Sequence, residues 1–129
     1  LPHSPGIGVI AQGTGSPTWI TLGGASATAW SYLRSALKRN NGSASAYGAT
    51  YGAGDVIQVW VDFAVGIWWG KNDTVQGGGD PVAGTGAAYT GLSGTLVPHM
   101  AANAGTPAGT IRASAASCAY SPRSGFSYW

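Results

Sequence analysis

Hydrophobic positions in this chain recur at every second residue and in short runs. The clearest is residues 54–72, GDVIQVWVDFAVGIWWGKN. Ile57, Val59, Val61 and Phe63 fall on one side at period two, with Gln58, Trp60 and Asp62 on the other. That alternation predicts a strand whose Ile57-to-Phe63 face is buried. A slip of one residue would bury Asp62, so the pattern specifies the register. Ala64-Val65-Gly66 interrupts the run and turns the chain into Ile67-Trp68-Trp69, which predicts a hairpin, and Lys71-Asn72 opens the next turn. Elsewhere Gly, Pro, Ser and Asn punctuate the chain about every ten residues, as between short strands. Strands are predicted over residues 7–12, 19–22, 28–32, 56–63, 67–70, 96–102 and 109–113.

Two stretches resist this pattern. Residues 31–39 are the only helix-like segment, but they lack a cap and read as a strand end plus loop. Residues 72–91 contain Gly77-Gly78-Gly79-Asp80-Pro81 and Gly84-Thr85-Gly86. With so little side chain to pack, they predict a long irregular surface loop rather than a pair of strands. A loop of that length in a compact domain is functional or held by a neighbour. No fixed-period repeat or linker divides residues 1–129, which form one domain long enough to bury a core.

Composition narrows the class. Six Trp, six Tyr and many aliphatic residues argue against disorder, and with the β-branched runs they indicate an all-β fold. Only 8% of residues are charged, there is no Glu, and the net charge is +2. So few charges suit a protein held in an assembly or presented outside a cell better than a free cytosolic monomer. The basic residues are scattered and form no face for nucleic acid. Their one local group, Arg34, Lys38 and Arg39, reads as a solvated run. Cys118, the single cysteine, reads as a small buried hydrophobe late in a strand. No run approaches the roughly 20 apolar residues that a spanning helix needs. Leu1-Pro2-His3 starts without Met or a signal pattern, as in a trimmed chain.

Candidate chemistry is sparse. Asp55, Asp62, Asp73 and Asp80 are the four acidic residues, and no two share a setting that suggests a glycosidase pair. Asp55 is placed to form a turn, and Asp62 to meet solvent or a backbone donor. Neither His3 nor His99 has a nucleophile elbow to serve, because Gly91-Leu92-Ser93-Gly94 lacks its spacing. Residues 66–71 resemble a phosphate loop only superficially: no Ser or Thr follows Lys71, and tryptophans stand where backbone amides would have to approach. Asn72, Asp73 and Asp80 lack EF-hand spacing and read as turn residues. Asn41-Gly42-Ser43 and Asn72-Asp73-Thr74 match the glycosylation pattern, as chance allows in this composition. The expectation is a non-enzyme with no cofactor and no metal. What remains is aromatic surface. Trp60, Trp68, Tyr47, Tyr51 and Tyr89, with Asp80 in the Gly-rich loop, are the candidate partner-binding residues. The competing reading packs those aromatics into the core.

Five segments in order carry a family resemblance. They are Lys38-Arg39-Asn40-Asn41-Gly42-Ser43 with Ala46-Tyr47-Gly48-Ala49, the hairpin from Gly54 to Asn72, Thr90-Gly91-Leu92-Ser93-Gly94-Thr95-Leu96-Val97-Pro98, Ala119-Tyr120-Ser121-Pro122, and Ser124-Gly125-Phe126. From about Trp30 onward the chain resembles SPRY domains, particularly the Gly- and Ala-rich versions of bacteriophage and bacterial proteins. Asp73 stands where the family's Lys-Asn-Gly turn has Gly, and Ala113 and Cys118 stand where large aromatics are common. The first strands of a full SPRY domain are not found, so the chain is either a compact variant or a piece of a longer one. The resemblance implies an antiparallel β-sandwich, similar to the concanavalin-like jelly rolls, whose loops at one end bind a partner without catalysis. Joined to the low charge, it implies a virion structural protein, as capsid decoration or as a tail or fibre component. Its partners would be other virion proteins or copies of itself, with neither nucleic acid nor membrane. The alternative is a secreted or cell-surface lectin-like module that binds a host-surface glycan.

Overall fold

A computed structural model describes residues 5–13, 24–101 and 109–129. The fold is all-β, and no helix occurs among the described residues. Eight strands form: β1 (Gly6–Ala11), β2 (Ala29–Leu33), β3 (Leu37–Asn40), β4 (Ser43–Ala46), β5 (Ile57–Asp62), β6 (Gly66–Lys71), β7 (Thr74–Val75) and β8 (Leu96–Ala101). They make two antiparallel sheets, one ordered β4-β3-β2-β1-β8 and the other β5-β6-β7. The predicted strand at 19–22 and the last residue of the one at 96–102 lie outside the described residues.

Turn chemistry explains how the strands connect. Asn41 and Gly42, with φ of 49° and 74°, make the two-residue mirror-image turn whose twist matches a β3–β4 hairpin. Asn72 and Asp73, at 49° and 67°, do the same between β6 and β7. Asp73 thus adopts the left-handed conformation of the Gly it replaces, which short Asx side chains tolerate. The helix-like stretch at 31–39 is the end of β2, a three-residue turn and β3. That turn closes with Ala36 N–H donating to the Leu33 carbonyl at 3.1 Å and puts Ala36 at φ 64°.

The core fills the space between the sheets. Val9 and Ala11 of β1, Trp30 and Tyr32 of β2, Ile67 and Trp69 of β6 and Leu96 of β8 are buried in one cluster, and Ile57, Val59 and Val61 pack against it. The alternation along β5 is therefore as predicted, except at Phe63, which is 59% exposed. The strand stops at Asp62, whose carboxylate accepts the Ala64 N–H at 2.8 Å while its carbonyl accepts the Val65 N–H at 3.0 Å. This turn lifts Phe63 off the pleat, so its position in the periodic pattern no longer says where it points.

The opposite face of the β5–β6 hairpin is covered too. Trp60 pairs with Trp68 across the ladder, and both are buried. The Arg123 guanidinium lies 5.1 Å from the Trp60 ring centre, and Phe126 meets Trp68 edge-on at 6.4 Å. The segment that provides them, residues 109–129, contains no strand. The strand predicted at 109–113 is absent. Its one large apolar residue, Ile111, is exposed, and Arg112 instead closes a local turn by donating to the Ser117 carbonyl at 3.1 Å. Cys118 lies in this irregular segment as a half-buried free thiol, not in a strand.

Ala36 holds a conformation that costs an L-residue with a Cβ about 1–2 kcal/mol, and glycine would return part of that gain as unfolded-chain entropy. Ala36→Gly is therefore expected to stabilise the fold by about 0.5–1 kcal/mol in a denaturant titration.

Candidate functional site

Functional side chains and Gly-rich backbone come together where the β2–β3 turn, residues 47–56 and residues 76–88 approach one another. An open depression of about 620 Å³ lies between Lys38, Tyr47 and Gly48 on one side and Gly77 and Gly86–Ala88 on the other. A second, of about 560 Å³, is edged by Arg34, Tyr51, Asp55 and Lys71. Both are shallow hollows in the surface.

Lys38 ties the larger sheet to the segment that ends the Gly-rich loop. Its Nζ donates to the Ala88 carbonyl at 2.7 Å and sits 4.9 Å from the Tyr89 ring centre and 5.8 Å from that of Tyr47. The solvated reading of this lysine is corrected by period-two geometry. On β3, Lys38 pairs with Tyr32 and Arg39 with Ser31, so the two cations leave opposite faces of the sheet. Arg34 is exposed in the turn. The basic trio therefore forms no common patch.

The walls are tied through backbone groups. Tyr51 donates to the Tyr32 carbonyl at 2.8 Å, Tyr32 donates to the Ala49 carbonyl, and Trp69 N–H donates to the Tyr47 hydroxyl at 3.3 Å. Burial pushes all three phenols upward in pKa, so they remain neutral. Gln76 is buried and bridges segments, accepting the Ala49 N–H at 2.9 Å and donating to the Thr74 carbonyl at 2.9 Å. A Cβ on Gly48 would come within 2.7 Å of the Gln76 Oε1, so this close approach requires glycine.

Asp55 fastens the other rim. Its carboxylate accepts the Gly52 N–H and the Asn72 side-chain N–H, each at 2.8 Å, and pairs with Lys71 at 3.3 Å. These contacts, the Gly52 amide first, hold its pKa below the ordinary carboxylate value. Asn72 Oδ1 in turn accepts the Val56 N–H at 2.8 Å.

The Gly-rich loop is irregular, as predicted, apart from β7 and two isolated bridges. It is nonetheless held at several points. Trp68 Nε1 donates to the Thr85 carbonyl at 2.9 Å, and Asp80 and Thr85 exchange backbone bonds of 2.9 and 3.0 Å. Asp80 Oδ1 also accepts the N–H groups of Val82 and Ala83 at 2.9 and 3.2 Å.

The candidate residues thus separate. Tyr47 and Tyr89 meet around Lys38, Tyr51 braces the second depression, and exposed Asp80 caps its own loop. Trp60, Trp68 and Tyr47 are not exposed anchors; the chain's own segments cover them. Lys38, Gln76 and Asp55 escaped the sequence reading as site residues. Only the turn position of Asp55 was signalled: Lys38 fell in a stretch read as loop and Gln76 in the Gly-rich loop. Among the described residues no three His, Cys, Asp or Glu side chains gather as a metal site would require. The Asp80 carboxylate is turned to its own loop, and that of Asp55 is taken up by Gly52, Asn72 and Lys71.

Fold and site define an antiparallel β-sandwich with shallow, loop-built hollows where two irregular segments meet. No family model and no curated protein matches the chain.

Away from these hollows, His99 on β8 is buried beside Ser31, with 3.3 Å between its Nε2 and the Ser31 Oγ. Among the described residues its Nδ1 has no partner. Burial lowers the imidazole pKa, against a smaller opposing effect from the neighbouring Gly8 backbone. The folded state therefore favours neutral imidazole. Its contribution to stability is full above the unfolded value of about 6.5 and is lost as pH falls from there through the folded pKa. The melting temperature should accordingly drop between pH 7.5 and 5, and His99→Gln should flatten that drop. An equal drop in the variant would assign it to other groups.

Trp68→Phe keeps an aromatic ring but removes the bond to the Thr85 carbonyl and leaves a cavity at a fully buried site. A loss of about 1–3 kcal/mol is expected, with faster amide exchange at Asp80 and Thr85.

Proposed function

We propose that this chain is a non-catalytic structural and interaction module of the SPRY type. It works in a phage virion, as capsid decoration or as a tail or fibre component, and its loop-built hollows seat on partner subunits. The observation that carries this reading is the division of labour in the site. Backbone-rich segments 47–56 and 76–88 form its surface, while Trp30, Trp60, Trp68 and Trp69 are buried; Trp129, the exposed one among the described tryptophans, lines neither hollow. Gly-rich backbone permits close approach by another protein and suits contacts made by shape and hydrogen bonding. Most nearby charge is already used within the chain, by Lys38 on the Ala88 carbonyl and by Lys71 on Asp55. Few ion pairs remain for holding a partner.

Purified particles that contain the chain provide the test. On titration to about 1 M salt, where the Debye length is about 3 Å, the chain is expected to stay bound and to leave only when denaturant is added. Release by salt alone would overturn an interface built without charge. Absence from particles, together with selective binding to a glycan array, would favour the lectin-like alternative.

A further inference from the structure

The large sheet ends on an open strand. Among the described sheet edges, β8 carries Pro98, β7 has two residues, and β5 is buried or half-buried along its length. β4, with the sequence Ser-Ala-Ser-Ala, is exposed at every residue and has neither charge nor proline. These are the devices that usually keep an edge from pairing.

The register shows which backbone groups are free. Tyr47 N–H donates to the Ala36 carbonyl at 2.9 Å, and hydrogen-bonded pairs then alternate along an antiparallel ladder. Ser45–Lys38 and Ser43–Asn40 are therefore the bonded pairs, and the Asn41-Gly42 turn closes on the second of them. Ala44 and Ala46 direct their N–H and C=O groups away from β3, toward no described partner.

We propose that β4 pairs antiparallel with β4 of a second copy of this chain, joining two five-stranded sheets across a two-fold axis at Ser45. In that register Ala44 lies opposite Ala46 of the second copy and Ala46 opposite its Ala44, so four N–H···O bonds satisfy every outward group. The small side chains leave both sheet faces clear. The nearest cations lie on β3, and the two β3 strands of the joined sheet are about 14 Å apart, beyond the Debye length of about 8 Å. The side chains of β4, Ser and Ala only, carry no charge to select a foreign strand, and Ala46 alone of the four borders the first hollow, whereas a copy of itself meets the bonding pattern of β4 in full. Strands this short bury roughly a few hundred Å², against about 1,200 Å² for a stable complex. The pairing is therefore weak between free chains and gains weight where other contacts hold copies close. It rests on the edge backbone and not on what the hollows bind, although Ala46 also borders the first hollow.

Single cysteines in a Cys118→Ser background test the register. Across the axis Ser45 faces its own copy as a non-bonded pair with Cα atoms about 4.5 Å apart, within disulfide range. Two Ser43 positions would be about 14 Å apart. Diamide is expected to cross-link Ser45→Cys at least ten-fold faster than Ser43→Cys at equal concentration. Adding Ala44→Pro removes an N–H that β4 does not use within its own sheet, and should erase that difference. If the proline variant does not fold, the comparison of the two cysteines decides alone. Equal rates, a faster Ser43→Cys, or a difference that survives in folded Ala44→Pro protein overturns the proposal. So does cysteine that stays monomeric at both positions because a foreign strand occupies the edge.

Discussion

Adjacent tryptophans on β6 point in opposite directions, and each organises a different part of the chain. Trp69 enters the space between the sheets, where Tyr47 and Tyr89 meet it edge-on at 5.9 and 6.4 Å. Trp68 faces the other way, takes Phe126 on its ring and holds the Gly-rich loop through its indole N–H. A three-stranded sheet exposed on one face would be poorly sheltered. With both faces of β6 covered, this sheet becomes the centre to which the loop, residues 109–129 and the larger sheet are all attached. Each tryptophan brings a large apolar area to that task.

The scarcity of charge changes how the loops are held. Long surface loops are often pinned by ion pairs, but this chain has four carboxylates, all Asp. Asp55, Asp62 and Asp80 each accept backbone N–H groups in their own turns. Asp73 receives the Arg123 side chain and Gln58. Short carboxylates used in this way stiffen turns and leave little free charge for the surface. That arrangement agrees with the proposed role of a subunit seated by shape.

The proposed strand pairing adjoins the first hollow, which Ala46 of β4 lines, but shares no residue with the second, so one copy can pair its edge and still engage a partner at the second hollow. Individually weak contacts reinforce each other in this way when subunits are arrayed, because the second contact forms at a high effective concentration. A sandwich with an open, uncharged edge and hollows at its loops is physically suited to a lattice.

The all-β class, the β5–β6 hairpin and the irregular Gly-rich loop were legible in the sequence because they depend on local rules. Period-two alternation, Asn-Gly turns and glycine content act within a few residues. The same rules placed Ile57, Val59 and Val61 on the core side. Tertiary structure decided the rest. Alternation could assign Trp60 and Trp68 to the outer face of the hairpin, but it could not show that Arg123 and Phe126 return from about sixty residues away to cover them. Nor could it show that the segment carrying those residues would do so without forming a strand. The role of Lys38 depended likewise on a carbonyl 50 positions distant. Local sequence determines which face a side chain takes, but what covers that face is set by long-range packing.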